Sequence, residues 1–178
     1  MESSTDTRPT LVGPRLTVRP GTAEDVDALL AILAEPSVSR WWGDPAPRED
    51  VSADLLGTGD TVLLVIEVDG AVAGGIQYYE EADPQYRHGA IDVYLSHRFQ
   101  GRGLGVEAIR LVARFLFETR GHHRLTIDPA LENERAIRSY EKLGFRRVGV
   151  MRQYERGRDG SFHDGLLMEL LRGEPAEE

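Results

Sequence analysis

Gln100-Gly101-Arg102-Gly103-Leu104-Gly105 is the stretch that decides the fold. It follows an alternating run, Ala90-Ile91-Asp92-Val93-Tyr94-Leu95, which predicts a strand, and it precedes a helical pattern that starts near Gly105. Three glycines within residues 101–105 let the backbone turn tightly and bring successive N–H groups together. Those amides converge at a helix N-terminus, where the helix dipole also favours negative charge. The stretch is therefore either a plain tight turn or a phosphate cradle with Arg102 as counter-charge, and a Gly-rich loop alone does not choose between them.

The surrounding chain predicts one α/β domain. At 178 residues it is long enough for a single real core, and 40% hydrophobic with 29% charged residues is ordinary for a globular protein. Arg15 to Arg19 alternates as a first strand. Thr22 opens a helix as N-cap, with Asp25 three residues on and Val26, Leu29, Leu30 and Leu33 as its apolar stripe; Pro36 is expected to stop it. Trp41-Trp42-Gly43-Asp44-Pro45 reads as a loop, and 48–56 as a short helix. Thr61–Val68 and Val72–Tyr79 make a hairpin about Asp69-Gly70. Helix 104–119 carries Leu104, Ala108, Leu111, Val112, Phe115 and Leu116 at helical spacing. Leu125–Asp128 fits a buried parallel strand, and Asn133 caps a helix that runs to Leu143, with Gly144 beyond its end. Two strands, 145–154 and 162–171, close the order β-α-(α)-β-β-β-α-β-α-β-β. One strand–helix–strand crossover makes the sheet mixed, with helices on both faces. Residues 1–14 are polar and aperiodic and read as a disordered lead-in; 15–172 is the domain and 173–178 a polar tail.

Composition excludes several function classes. There is no cysteine, hence no disulfide, thiolate metal site or Cys nucleophile, and no ligand cluster suggests a metal. A net charge of −9 suits a cationic small molecule better than nucleic acid. No apolar run approaches a membrane span, and the N-terminal residues lack the basic start and apolar core of a secretory signal, so the cytoplasm is the default expectation.

Two motifs together resemble the GNAT family of acetyl-CoA-dependent N-acetyltransferases. Gln100, Gly103 and Gly105 match its [Q/R]-x-x-G-x-[G/A] pattern; Asn133, Ala136, Tyr140, Gly144 and Phe145 match N-x-x-A-x-x-x-Y-x-x-x-G-F. The resemblance covers about residues 15–171 and implies a twisted mixed sheet whose central parallel strands splay to hold acetyl-CoA. It implies that the amides of Gly101, Arg102, Gly103, Leu104, Gly105 and Val106 take the pyrophosphate, and that the strand edge at Val93, Tyr94 and Leu95 pairs with the pantetheine arm. Asn133, beside Ala136, either reaches that arm or simply caps its helix. Tyr140 either protonates the departing sulfur or packs in the core. Acetyl transfer needs a neutral amine, and Asp92, a carboxylate inside an apolar strand, is the candidate to orient or deprotonate it; the alternative is a solvent-facing strand residue.

A narrower resemblance links Trp41-Trp42-Gly43, Gly89-Ala90-Ile91-Asp92 and Ile127-Asp128-Pro129 to aminoglycoside 6′-N-acetyltransferases. It implies that Asp92 and Asp128 hold the acceptor amine and that Trp41 and Trp42 line its pocket, although Asp128 also fits a turn or cap and the tryptophans also fit core lids. A polycationic sugar wants several carboxylates and flat apolar walls. Glu80, Glu81 and Asp83 either extend that rim or form a solvated loop. The segment 93–99 and loop 80–89 depart from the subgroup. Alternative acceptors are a protein N-terminus or a siderophore precursor, for which His97 or His163 would be a base; a non-catalytic acyl-CoA sensor is the alternative outside enzymes. Homodimers are common in the family, which makes a homodimer the expectation by analogy.

Overall fold

A computed structural model of the chain describes residues 8–174. In order they form β1 (Leu11–Val12), β2 (Thr17–Pro20), α1 (Val26–Leu33), α2 (Pro36–Trp42), α3 (Arg48–Leu55), β3 (Val62–Val68), β4 (Ala71–Glu80), β5 (Gly89–Leu95), α4 (Leu104–Glu118), β6 (Arg124–Ile127), α5 (Glu134–Lys142), β7 (Arg146–Arg156) and β8 (Phe162–Leu171). The strands build one sheet in the order β1-β2-β3-β4-β5-β6-β8-β7, antiparallel except for β5 and β6. The expected α/β class, the mixed sheet and helices on both faces are all present.

The apolar run of β3 reflects burial on both faces. Leu64 and Ile66 pack into the cluster that includes α4, while Leu63 and Val65 pack with Leu29 of α1 and Leu55 of α3. Alternate side chains of a strand point to opposite faces, so a strand between two helical layers has no room for polar alternation.

Two expectations need correction. The first helix does end before Pro36, at Leu33, but Pro36 is itself the first residue of α2, where its missing N–H is harmless and its fixed φ is already helical. Trp41 and Trp42 are consequently the last turn of α2 rather than a loop. The reading of 1–14 as an aperiodic lead-in fails at Leu11–Val12, which pairs with Val18 and Thr17; residues 1–7, like 175–178 of the tail, lie outside the described residues. Arg15 then ties this region to α4, its Nε 2.7 Å from Oε2 of the buried Glu107.

The feature that positions the site is a short pairing. β5 and β6 share only the pairs Gly89–Leu125 and Ala90–Thr126, although β5 runs on to Leu95. Beyond Ala90 the two strands diverge, leaving one edge of β5 without a strand partner among the described residues. A wedge opens between β1–β5 and the β6-β8-β7 half.

Candidate active site

The wedge holds a cavity of about 910 Å³. At its inner side lies the Gly-rich loop. Gly103 is the N-cap of α4 with φ 75°, a left-handed conformation that glycine adopts without penalty, and it aims the first amides of α4 at the cavity. Gln100 braces the loop from behind: its Nε2 donates to the Leu95 carbonyl at 2.8 Å and to Ser37 Oγ at 3.2 Å. The free edge of Val93, Tyr94 and Leu95 lines one wall, with Leu104, Gly105 and Val106 beside it, and Asn133, Ala136 and Tyr140 of α5 face it. Asn133 caps α5, its Oδ1 accepting from the Ala136 amide at 3.2 Å, and it lines the cavity as well. The cavity therefore offers the N-terminal amides of α4, a strand edge that β6 does not pair and apolar lining residues, a fit for a long amide-bearing thioester ending in phosphates. Acetyl-CoA has that shape and chemistry.

Arg102 is the one expected cofactor residue that the cavity does not take up. Its guanidinium lies 5.7 Å from the Phe99 ring centroid, and its carbonyl accepts from Arg15 Nη1 at 2.6 Å. Arg135, Arg138 and Lys142 of α5 line the cavity instead. Sequence reading passed over them because charges on an exposed helix face carry no mark of what they face.

The outer half of the cavity is acidic and aromatic. Asp92 and Asp128 lie close enough there to interact electrostatically, Tyr154 and Glu155 of β7 line the cavity with them, and Trp41 and Trp42 of α2 belong to the same lining. The Asp92 carboxyl is pushed up to about 7, first by burial, then by the charge of Asp128; the hydrogen bond of its cross-strand neighbour Gln77 opposes the rise. Burial raises Glu155 too, with Asp128 adding to it. Tyr154 donates to Asp128 Oδ2 at 2.5 Å, and this hydrogen bond is the main reason its hydroxyl is held up to about 12. Tyr140 is buried, and desolvation, then Asp92 and Asp128, raise its hydroxyl well above the usual range.

Tyr154 and Glu155 were missed for a backbone reason. Between the pairs Met151–Gly165 and Glu155–His163, β7 carries three residues where β8 carries one, a bulge held by the Gln153 amide donating to Asp164 Oδ1 at 2.8 Å. Gln153 has φ 50°, a conformation that nothing in the sequence announces for glutamine. The bulge turns Tyr154 onto Asp128, and Gly165 leaves room for it: a Cβ there would lie 2.9 Å from the ring. The other expectations fall outside the cavity. Glu80 is engaged by Arg120 and His122 at the far end of β4, Glu81 and Asp83 stay in the exposed loop, and neither His97 nor His163 lines the site.

Comparison with known proteins agrees with this geometry. The family description "Acetyltransferase (GNAT) domain" matches residues 15–146. The chain is 30% identical over 155 residues to an aminoglycoside N(6′)-acetyltransferase type 1 of Klebsiella pneumoniae, covering 76% of each. It is 27% identical over 156 residues to the spermidine N(1)-acetyltransferase of Escherichia coli K12, covering 85% of this chain and 83% of that one. The crystal structure of aminoglycoside acetyltransferase AAC(6′)-Ib with coenzyme A superposes with a TM-score of 0.71 at 27% identity, covering 88% and 95% of the two chains. A splayed β5–β6 pair, a glycine-capped α4 and these matches over most of the chain have one explanation: the protein belongs to the GNAT family and is an acetyl-CoA-dependent N-acetyltransferase.

Proposed function

We propose that the acceptor is a polycationic small molecule carrying a primary amine, and specifically an aminoglycoside presenting its 6′-amine. The observation that carries this reading is the convergence of Asp92, Asp128 and Glu155 in one cavity whose lining also includes Trp41 and Trp42. Three carboxylates in a cleft concentrate a ligand with several ammonium groups, and indole faces suit both its apolar ring surfaces and its cations. Relatives named for aminoglycoside and spermidine acetylation support the polycation class.

Acetyl-CoA, when bound, supplies an activated thioester carbonyl. The edge of Val93, Tyr94 and Leu95 holds its amide-bearing arm as an added strand would, and the amides of residues 101–106 hold its pyrophosphate. Asn133 offers its carboxamide nitrogen to the same arm, while Arg102 adds positive charge at the outer face of the loop. Asp92 orients the acceptor ammonium and accepts its proton. A carboxyl near 7 suits that task, because at neutral pH a large share is ionised and yet binds a proton readily. Asp128, steadied by Tyr154, and Glu155 hold the other ammonium groups. Tyr140 keeps its proton at neutral pH and delivers it to the departing sulfur.

The test is release of free thiol from acetyl-CoA with kanamycin-type aminoglycosides, polyamines and N-terminal peptides in parallel. Release with the aminoglycosides, with the highest kcat/KM among the three classes, is expected. Release with peptides alone overturns the polycation reading.

A further inference from the structure

We infer that Arg158 is a positioning residue for the acceptor, latching the β7–β8 turn to α2 and so setting the width of the acceptor half of the cavity. The inference rests on the proposal that the acceptor occupies that half.

Arg158 stands in the turn Arg156-Gly157-Arg158-Asp159-Gly160, which closes on itself through Gly157 N–H to the Ser161 carbonyl at 2.9 Å. The turn makes no use of the Arg158 side chain. Across 119 residues of sequence the guanidinium reaches α2 and the loop after it instead: Nη1 donates to Ser39 Oγ at 3.1 Å, and Nε lies 2.8 Å from Asp44 Oδ1. Ser39 is 1% exposed, so its hydroxyl has little water to turn to and a charged donor is worth more there than at a wet surface. Asp44 is well exposed and contributes little by itself. Its value is in fixing the orientation of the guanidinium fork.

The two ends of this contact adjoin residues that line the acceptor half of the cavity. Arg158 lies three residues past Glu155, and Ser39 and Asp44 bracket Trp41 and Trp42 in sequence. These segments belong to opposite halves of a sheet joined only at Gly89–Leu125 and Ala90–Thr126, at the closed end of the wedge. Strand pairing therefore leaves the spacing at the open end unspecified, and a tie across the mouth must set it. The other end of α2 has its own anchors. Glu35 accepts from Ser96 Oγ at 2.8 Å and from the His97 amide at 2.7 Å, and Ser37 meets Gln100. Removing Arg158 thus loosens the acceptor wall while the cofactor end of α2 stays held.

The experiment compares the parent with Arg158→Ala and Arg158→Lys. For Arg158→Ala the acceptor KM should rise about tenfold, with kcat and the Kd of coenzyme A, measured by calorimetry, each within about twofold of the parent. Lysine keeps the charge but not the fork, so its KM should fall between. Both tryptophans of the chain are on α2, so acrylamide quenching of intrinsic fluorescence reads the latch with no acceptor present, and it should increase in Arg158→Ala. An unchanged acceptor KM in an active variant overturns the inference, as does a loss of coenzyme A affinity equal to the loss for acceptor. Should the parent acetylate no polycation, the acceptor reading fails, and the quenching still decides the latch: no change overturns it.

Discussion

Replacing Asp92 by Asn keeps the shape of the side chain and removes its charge, which separates what the carboxylate does for turnover from what it costs the fold. Burial, then the nearby charge of Asp128, moves this carboxyl from 3.8 to about 7. A pKa raised on folding means that the native state holds the proton more tightly than the unfolded chain does. The group's contribution to stability is therefore fully present below about 3.8 and is lost as pH rises through about 7. Each tenfold change in the proton equilibrium is worth about 1.4 kcal/mol, so in a dry site the loss would be about 4 kcal/mol. Asp92 is only half-buried and opens on the cavity, where water screens it, so about 2 kcal/mol is expected. A domain of this size gains roughly 2–4 °C per kcal/mol. Asp92→Asn should thus melt roughly 4–8 °C above the parent at pH 8 and within about 1 °C of it at pH 4. Its turnover should fall about 10²–10⁴-fold, the usual contribution of a positioned acid or base. In the parent, kcat/KM should decline below about pH 7, and Asp128→Asn should move that decline to lower pH by removing the neighbouring charge. Thermal melts at the two pH values decide the matter. An equal offset at both, or a variant less stable at pH 8, refutes the reasoning.

Tyr140→Phe should lower kcat about 10²-fold while leaving the Kd of coenzyme A nearly unchanged, and a large loss of binding in calorimetry would remove the proton-donor role. Tyr94 carries a buried hydroxyl without a hydrogen-bond partner among the described residues, its ring edge-on to Trp42 at 4.9 Å. Tyr94→Phe should therefore stabilise the protein by about 1 kcal/mol in denaturant unfolding, and destabilisation would mean that the hydroxyl is satisfied in solution. Gly103→Ala places a Cβ on a residue at φ 75° and 3.4 Å from the Arg15 guanidinium. It should cost about 1 kcal/mol of stability and weaken coenzyme A binding about tenfold, read by melting and calorimetry.

The parts of this account legible in the sequence are those written in local chemistry. A strand, a Gly-rich turn and a helix with an apolar stripe at 90–119 carry their own periodicities, and Asn133 ahead of Ala136 marks a helix start. Asp92 stands out because a lone acid in an apolar strand is costly. Ambiguity began where one residue has two meanings: Pro36 stops one helix by starting the next, which carried Trp41 and Trp42 out of their expected loop. The two residues of β1 are too few to display any period. Glu155 and Tyr154 enter the site through a bulge centred on a glutamine at positive φ, and Arg158 reaches Ser39 from 119 residues away. Such features depend on non-local packing and leave no local pattern. The wedge was expected only through the family resemblance, since the place where β5 and β6 part is decided by pairing between distant segments.

Transfer to the proposed 6′-amine can be read with a matched pair of acceptors. Neomycin carries an amine at the 6′ position where paromomycin carries a hydroxyl, the two being otherwise alike. Free thiol released from acetyl-CoA reads turnover cleanly because the protein has no cysteine of its own. Turnover with neomycin, a product acetylated at the 6′-nitrogen, and paromomycin turned over at least about 10²-fold more slowly are expected. Equal rates with the two acceptors, or acetylation at another amine of neomycin, would contradict the proposed transfer.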